Sequence, residues 1–234
     1  MKSYKKFSLI FILVPIVLLL NSITTDDYLF KIILYWFSCS FFYLGGIYFL
    51  NKPNLLAKNQ YLGRISGFII LFNLPYFLLI NSIWFLKDTF SKENRTDYFF
   101  ENYYIGKKVS FKNLPKNIET VVDLTAELNE DYDIVRNKNY ILFPILDGSI
   151  PDINDFYLLI KKITNLQNNI YIHCAEGHGR TAIVAIVLYL LKNKELSIND
   201  GISFVKSKRE KISLNETQKE FLNSFIDSEY FLDL

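Results

Sequence analysis

The residues best equipped for chemistry fall within one stretch, IHCAEGHGRTA, residues 172–182. The chain has two histidines and two cysteines, and this stretch holds His173, His178 and Cys174. Gly177 and Gly179 lie between Cys174 and Arg180, where they let the backbone fold tightly without Cβ clashes. A loop at a helix N-terminus presents backbone N–H groups and the positive end of the helix dipole, which suits an anion. Arg180 adds a planar fork able to bind two oxygens of a tetrahedral oxyanion. Amide dipoles and an arginine around a cysteine favour its thiolate form. The spacing therefore describes a thiolate nucleophile beneath a bound phosphate.

Such a loop needs a strand before it and a helix after it. NIYIHC (169–174) reads as a strand, and RTAIVAIVLYLLKN (180–193) as a buried helix that is too short to span a membrane. ETVVDL (119–124) and YILFPI (140–145) read as two more strands, the second closed by the turn DGSIPD. Residues 153–166 have helical spacing, and 197–210 and 215–231 read as helices with Ser197 and Asn215 as N-caps. Strands alternating with helices imply an α/β domain over residues 103–234.

The preceding part is of a different texture. Three apolar runs, 7–23, 28–50 and 62–86, are expected to be transmembrane helices, since roughly 20 apolar residues cross a bilayer. A signal peptide is the rival reading of the first, but no small-x-small cleavage pattern follows it. Pro15 and Pro75 are tolerated in membrane helices. Cys39 lies among aromatics of the second run and is expected to pack there. Polar residues 88–102 read as a juxtamembrane linker. The net charge of +2 averages over two unlike parts and says little; no nucleic-acid partner is expected.

H-C-x5-R-[ST], here His173 to Thr181, resembles the signature loop of cysteine-dependent protein tyrosine and dual-specificity phosphatases. YYIGKK, ETVVDLTAE, FPILDGSIPD and LNETQKEFLNSF are similar to other parts of compact dual-specificity domains, so the resemblance covers about residues 100–230. It implies a central mixed sheet flanked by helices, after the three membrane helices. It also implies that Cys174 forms a phosphocysteine, and that Arg180 and the amides of Ala175, Glu176, Gly177, His178 and Gly179 hold the phosphate. Thr181 would hydrogen-bond the thiolate, Asp147 would be the general acid, and His173 would support the loop. No metal or other cofactor is implied. Asp152, after Pro151, is the rival acid, although capping suits it better. Asp123 and Glu127 read as structural.

The expected activity is hydrolysis of phosphomonoesters of tyrosine, serine or threonine in proteins, at a lipid bilayer. The alternative is a phospholipid such as phosphatidylglycerophosphate or a monophosphorylated phosphoinositide, and a third reading is an inactive phosphate-binding module. Glu176 would repel a polyphosphorylated headgroup unless a basic neighbour pairs with it. Sidedness divides two arguments. With three spans, the basic residues Lys2, Lys5, Lys6, Lys52, Lys58 and Arg64 would put the catalytic domain outside, against Lys87, Lys92 and Arg95 after the third run. A thiolate survives best in a reducing compartment, which turns the expectation to the cytoplasmic face.

Overall fold

A computed structural model describes residues 3–234. Two long apolar helices, α1 (Ser3–Thr24) and α2 (Tyr28–Leu50), form an antiparallel hairpin. Small residues let them approach: Ser8 Oγ donates to the Gly45 carbonyl at 2.9 Å, and Ser38 Oγ to that of Pro15 at 3.3 Å. Asp27 caps α2 by accepting from the amides of Leu29 and Phe30. Both helices are long and apolar enough to cross a membrane. Cys39 faces outward on α2 and does not pack internally.

The expected third membrane helix is not there. Its span holds β2 (Arg64–Ile65), which pairs with β1 (Lys58–Asn59) just before it, then α3 (Gly67–Phe72) and most of α4 (Leu74–Phe90). Pro75 lacks an N–H and disfavours helical geometry in the residue before it, so it begins a helix better than it continues one. The break at Asn73 is buried against α2, where Ser40 Oγ donates to Asn73 Oδ1 at 3.1 Å and Trp36 Nε1 to the Phe72 carbonyl at 2.9 Å.

Residues 96–100, within the expected linker, form the edge strand β3 (Thr96–Phe100) of a five-stranded sheet. It is followed by β4 (Tyr103–Lys107), β5 (Thr120–Thr125), α5 (Tyr132–Asn137), β6 (Asn139–Ile145), α6 (Ile153–Thr164) and β7 (Ile170–Cys174). Helices α7 (Arg180–Lys192), α8 (Ile198–Lys208), α9 (Glu216–Ile226) and α10 (Glu229–Leu232) complete the chain. The sheet order is β3-β4-β7-β5-β6, with only the β3–β4 pair antiparallel, so the sheet is mixed. Residues Ala182 to Leu188 of α7 are all buried, which explains a sequence apolar on every face. Helix α6 buries one stripe, Phe156, Leu159, Ile160 and Ile163, and its N-cap is Asp152, as capping chemistry suggested. Ser197 and Asn215 cap α8 and α9 through reciprocal capping boxes.

A second apolar cluster fuses the two regions. Leu44, Ile47 and Tyr48 of α2, Tyr76 and Phe77 of α4, and Leu56 and Ile65 between them pack with Ala126 and Leu146 of the α/β part. Fully burying each such side chain contributes about 1.5–3 kcal/mol, so the junction is a shared core.

Candidate active site

Parallel strands β7, β5 and β6 deliver Cys174, the loop 125–130 and the loop 146–150 to one edge of the sheet, where open α/β sheets bind ligands. Cys174 ends β7 and is buried, and the Gly177 N–H donates to its Sγ at 3.2 Å. The cradle's orientation follows from peptide planarity, which points C=O and N–H in opposite directions. The Ala175 carbonyl accepts from Lys108 N at 3.2 Å and Trp84 Nε1 at 3.4 Å, that of Glu176 from Arg209 Nη2 at 2.8 Å, and that of His178 from Ser213 N at 3.4 Å. With those carbonyls held outward, the Glu176, Gly177 and Gly179 amides point away from them, and that of Gly177 reaches the sulfur. Gly177 sits at φ +75°, where a side chain is strained and its Cβ would overlap the Gly106 carbonyl.

Arg180 opens α7 and is almost wholly buried. Its terminal nitrogens donate to both Glu127 oxygens at 2.7 and 2.8 Å, to the Ile145 carbonyl at 2.9 Å and to Asp147 Oδ1 at 3.2 Å. Burial works against its charge, but Glu127 and Asp147 outweigh that and raise its pKa further. The structure thus places Asp147 beside Arg180, largely exposed in the same cleft. Asp152, capping α6, is not part of this group.

Glu127 is the residue that spacing rules missed. It follows a buried strand and reads as structural, yet it fixes the plane of the guanidinium. Only its place in the TAE tripeptide after a strand could have marked it. Thr181 departs from expectation, because its buried hydroxyl has no hydrogen-bond partner and makes none with Cys174. His173 lies behind the loop, stacked on Tyr171, with Nε2 3.1 Å from Glu130 Oε2 but off the line of a hydrogen bond.

Glu176 turns out to be paired. Lys87 Nζ of α4 is 2.6 Å from one oxygen and His178 Nδ1 3.4 Å from the other. The His178 contact, with help from Lys87 and against partial burial, holds its pKa down to about 2. A depressed carboxylate contributes stability that is fully present above its unfolded pKa, about 4.3, and lost as pH falls towards 2. Neutralised by Lys87, it no longer argues against an anionic headgroup. His178 Nε2 also meets Glu93 at 2.9 Å, so both side chains of the cradle's outer rim are tied to residues 87–93.

The cleft over Cys174 measures about 460 Å³. Its lining combines polar Asp147, Arg180, Asn215 and Gln218 with apolar Phe7 of α1 and Ile80, Ile83 and Trp84 of α4. A buried cysteine at the base, a buried arginine beside it, and a carboxylate at the rim are the residue types that phosphoryl transfer requires.

The profile of the dual specificity phosphatase catalytic domain matches residues 102–228. The chain belongs to the dual specificity phosphatase family. Among relatives, the 197R protein of Invertebrate iridescent virus 6, which carries a provisional tyrosine phosphatase name, is 34% identical over 103 residues, covering 40% of this chain and 36% of the relative. The phosphatidylglycerophosphate phosphatase PTPMT2 of Arabidopsis thaliana is 25% identical over 142 residues, covering 53% of this chain and 60% of the relative. The chain thus spans less than two thirds of either relative. The crystal structure of PTPMT1 in complex with PI(5)P shares the fold at a TM-score of 0.50 and 16% identity, covering 59% of this chain and 98% of that one. The dual specificity phosphatase fold therefore accounts for the α/β part and leaves the apolar helices outside the match.

Proposed function

We propose that this chain is a membrane-anchored phosphomonoesterase acting through a phosphocysteine, and that its substrate is a phosphate monoester carried by a membrane lipid. Cys174 Sγ attacks phosphorus, the S–P bond forms as the ester P–O bond breaks, and Asp147 gives its proton to the departing oxygen. Asp147 then takes a proton from water as that water displaces the thiolate, leaving inorganic phosphate. Arg180 and the inward amides stabilise the charge gathering on the equatorial oxygens. A role for Thr181 towards the leaving sulfur would require its unpaired hydroxyl to turn to Cys174, a contact that is not made in this structure. His173 supports the loop from behind.

The observation that carries the lipid reading is the apolar part of the cleft lining. Phe7, Ile80, Ile83 and Trp84 line the same cleft as Asp147 and Arg180, Phe7 lying against Gly148, and they come from the same helices that expose apolar surface away from the domain. An acyl chain extending from a phosphorylated headgroup would lie against these residues and continue onto the exposed apolar surface of the same helices, which a phosphotyrosine ring alone would not cover. The relative named for phosphatidylglycerophosphate agrees with this, while the viral relative keeps the phosphoprotein reading in play.

Two spans also change the sidedness argument. The α1–α2 hairpin turns at Asp26 and Asp27, and its other end carries Lys5, Lys6 and Lys52. Asn73 meets Ser40 near the middle of α2, and α4 returns to the cradle, so α3 and α4 go in and come back. Basic residues and catalytic domain then share one side, which the positive-inside tendency makes cytoplasmic, in accord with the needs of a thiolate.

The test is phosphate release from phosphatidylglycerophosphate in vesicles and from a phosphotyrosine peptide, with wild type and Ile83→Ser. We expect faster release from vesicles, and a selective loss of that activity in Ile83→Ser. Faster turnover of the peptide would overturn the lipid reading.

A further inference from the structure

Behind the cradle lies a buried set of charges that the reaction above does not use. Asp123, Glu130 and His173 bring ligand-type atoms within 4.8 Å of one another, and all three are buried. Such a set suits a cation, and an amine supplies one. Lys58, in the strap between α2 and α3, places Nζ 2.5 Å from Asp123 Oδ2, 2.9 Å from Thr125 Oγ1 and 3.0 Å from the Thr125 carbonyl. Its side chain is 2% exposed and that of Asp123 fully buried. Tyr140 donates to the same Asp123 oxygen at 2.8 Å, and Thr125 donates to the other. Lys108 stands 3.5 Å from Glu130. Burial opposes the charge on Asp123, but Lys58 and then His173 outweigh it and hold its carboxyl well below the usual range.

The same strap grips the whole loop that presents Glu127. Lys58 binds Thr125, Ile65 N donates to Asn129 Oδ1 at 2.8 Å, and Glu130 N donates to the Gly63 carbonyl at 2.7 Å. Within that grip the Ala126 amide donates to Glu127 Oε2 at 3.1 Å, and Glu127 holds both terminal nitrogens of Arg180. A chain of direct contacts therefore runs from Lys58 through the Thr125–Glu127 turn to the guanidinium. A second runs through Asp123 towards His173, the residue before the nucleophile.

We propose that Lys58 is a positioning residue for phosphoryl transfer, setting the Glu127 loop and hence the plane of Arg180, so that the region carrying the apolar helices supplies part of the active site. The inference rests on the phosphatase reading. It assigns to a residue outside the family match a role that the α/β part does not fill by itself.

The test uses the full chain in nanodiscs, with para-nitrophenyl phosphate turnover and protection of Cys174 from iodoacetamide by vanadate as two readouts. Lys58→Met leaves Asp123 as an unpaired buried charge that opposes folding, so Lys58→Met/Asp123→Asn removes both charges at once. In that double variant we expect a folded protein, by thermal melting, whose kcat falls more than about tenfold with KM within about twofold. Lys58→Arg, which keeps a donor towards Thr125, should recover a large part of kcat. Wild-type kcat in the folded double variant, or no recovery in a folded Lys58→Arg, would overturn the role. A stoichiometric divalent metal in the purified wild type would overturn it too, making the cluster a metal site. If wild type neither turns over substrate nor shows vanadate protection, the phosphatase reading itself fails and this inference falls with it; an active wild type isolates the failure to Lys58.

Discussion

Both terminal nitrogens of Arg180 already donate to Glu127, with the Ile145 carbonyl and Asp147 taking the remaining terminal N–H groups, so in the proposed reaction a phosphate would meet Nε or displace Asp147 while Glu127 holds the plane. Replacing Cys174 by Ser should abolish turnover while vanadate still binds, since the amides remain; residual activity above about 1% would contradict a covalent route. Asp147→Asn should slow hydrolysis of an alkyl phosphate roughly a hundredfold and that of an aryl phosphate with an acidic leaving group much less. The same leaving-group pattern in Asp152→Asn instead would transfer the acid role to the helix cap. At this scale the sequence was informative where spacing carries chemistry, as in residues 173–181. It read Glu127 only as structural and Lys58 only as a basic residue near the membrane, because their partners lie 53 and 65 positions away. The Thr181 hydroxyl was expected on the thiolate because its position follows the arginine, yet nothing in that spacing fixes a side-chain rotamer.

Elements read well where one period dominates. β5, β6 and β7 lie within a residue or two of their expected limits, and α6 shows a single buried stripe. The third apolar run misled because hydropathy averages over a window. Leu, Ile and Phe on both sides of Asn73–Pro75 sum to a span, while backbone geometry divides it. Strands β3 and β4 sit in aromatic, charged sequence with little alternation, so no period revealed them. The strand–loop–helix unit around Cys174 depends on Gly177 at positive φ. Gly177→Ala should therefore cost on the order of 1–3 kcal/mol in backbone strain, with further loss from the clash at Gly106, and should lower both melting temperature and turnover. A stable, fully active Gly177→Ala protein would show that the cradle has another conformation available.

At the scale of the whole molecule, the hairpin and the returning α3–α4 segment set the topology. Reporter tags at Asp26, Tyr61 and Leu234 should label Asp26 on one side of the membrane and the other two together on the opposite, cytoplasmic side. Tyr61 and Leu234 on opposite sides would restore a third crossing. One more consequence concerns biogenesis. Lys58 and Asp123 are 65 residues apart in the chain, and bacterial to eukaryotic synthesis rates of about 5–20 residues per second separate their emergence by roughly 3–13 s. On the proposed membrane reading, the apolar hairpin would leave the ribosome first and enter the bilayer before Asp123 is made. The α/β part would then fold against a template already tethered, and the buried charge of Asp123 would be neutralised by a residue made well before it.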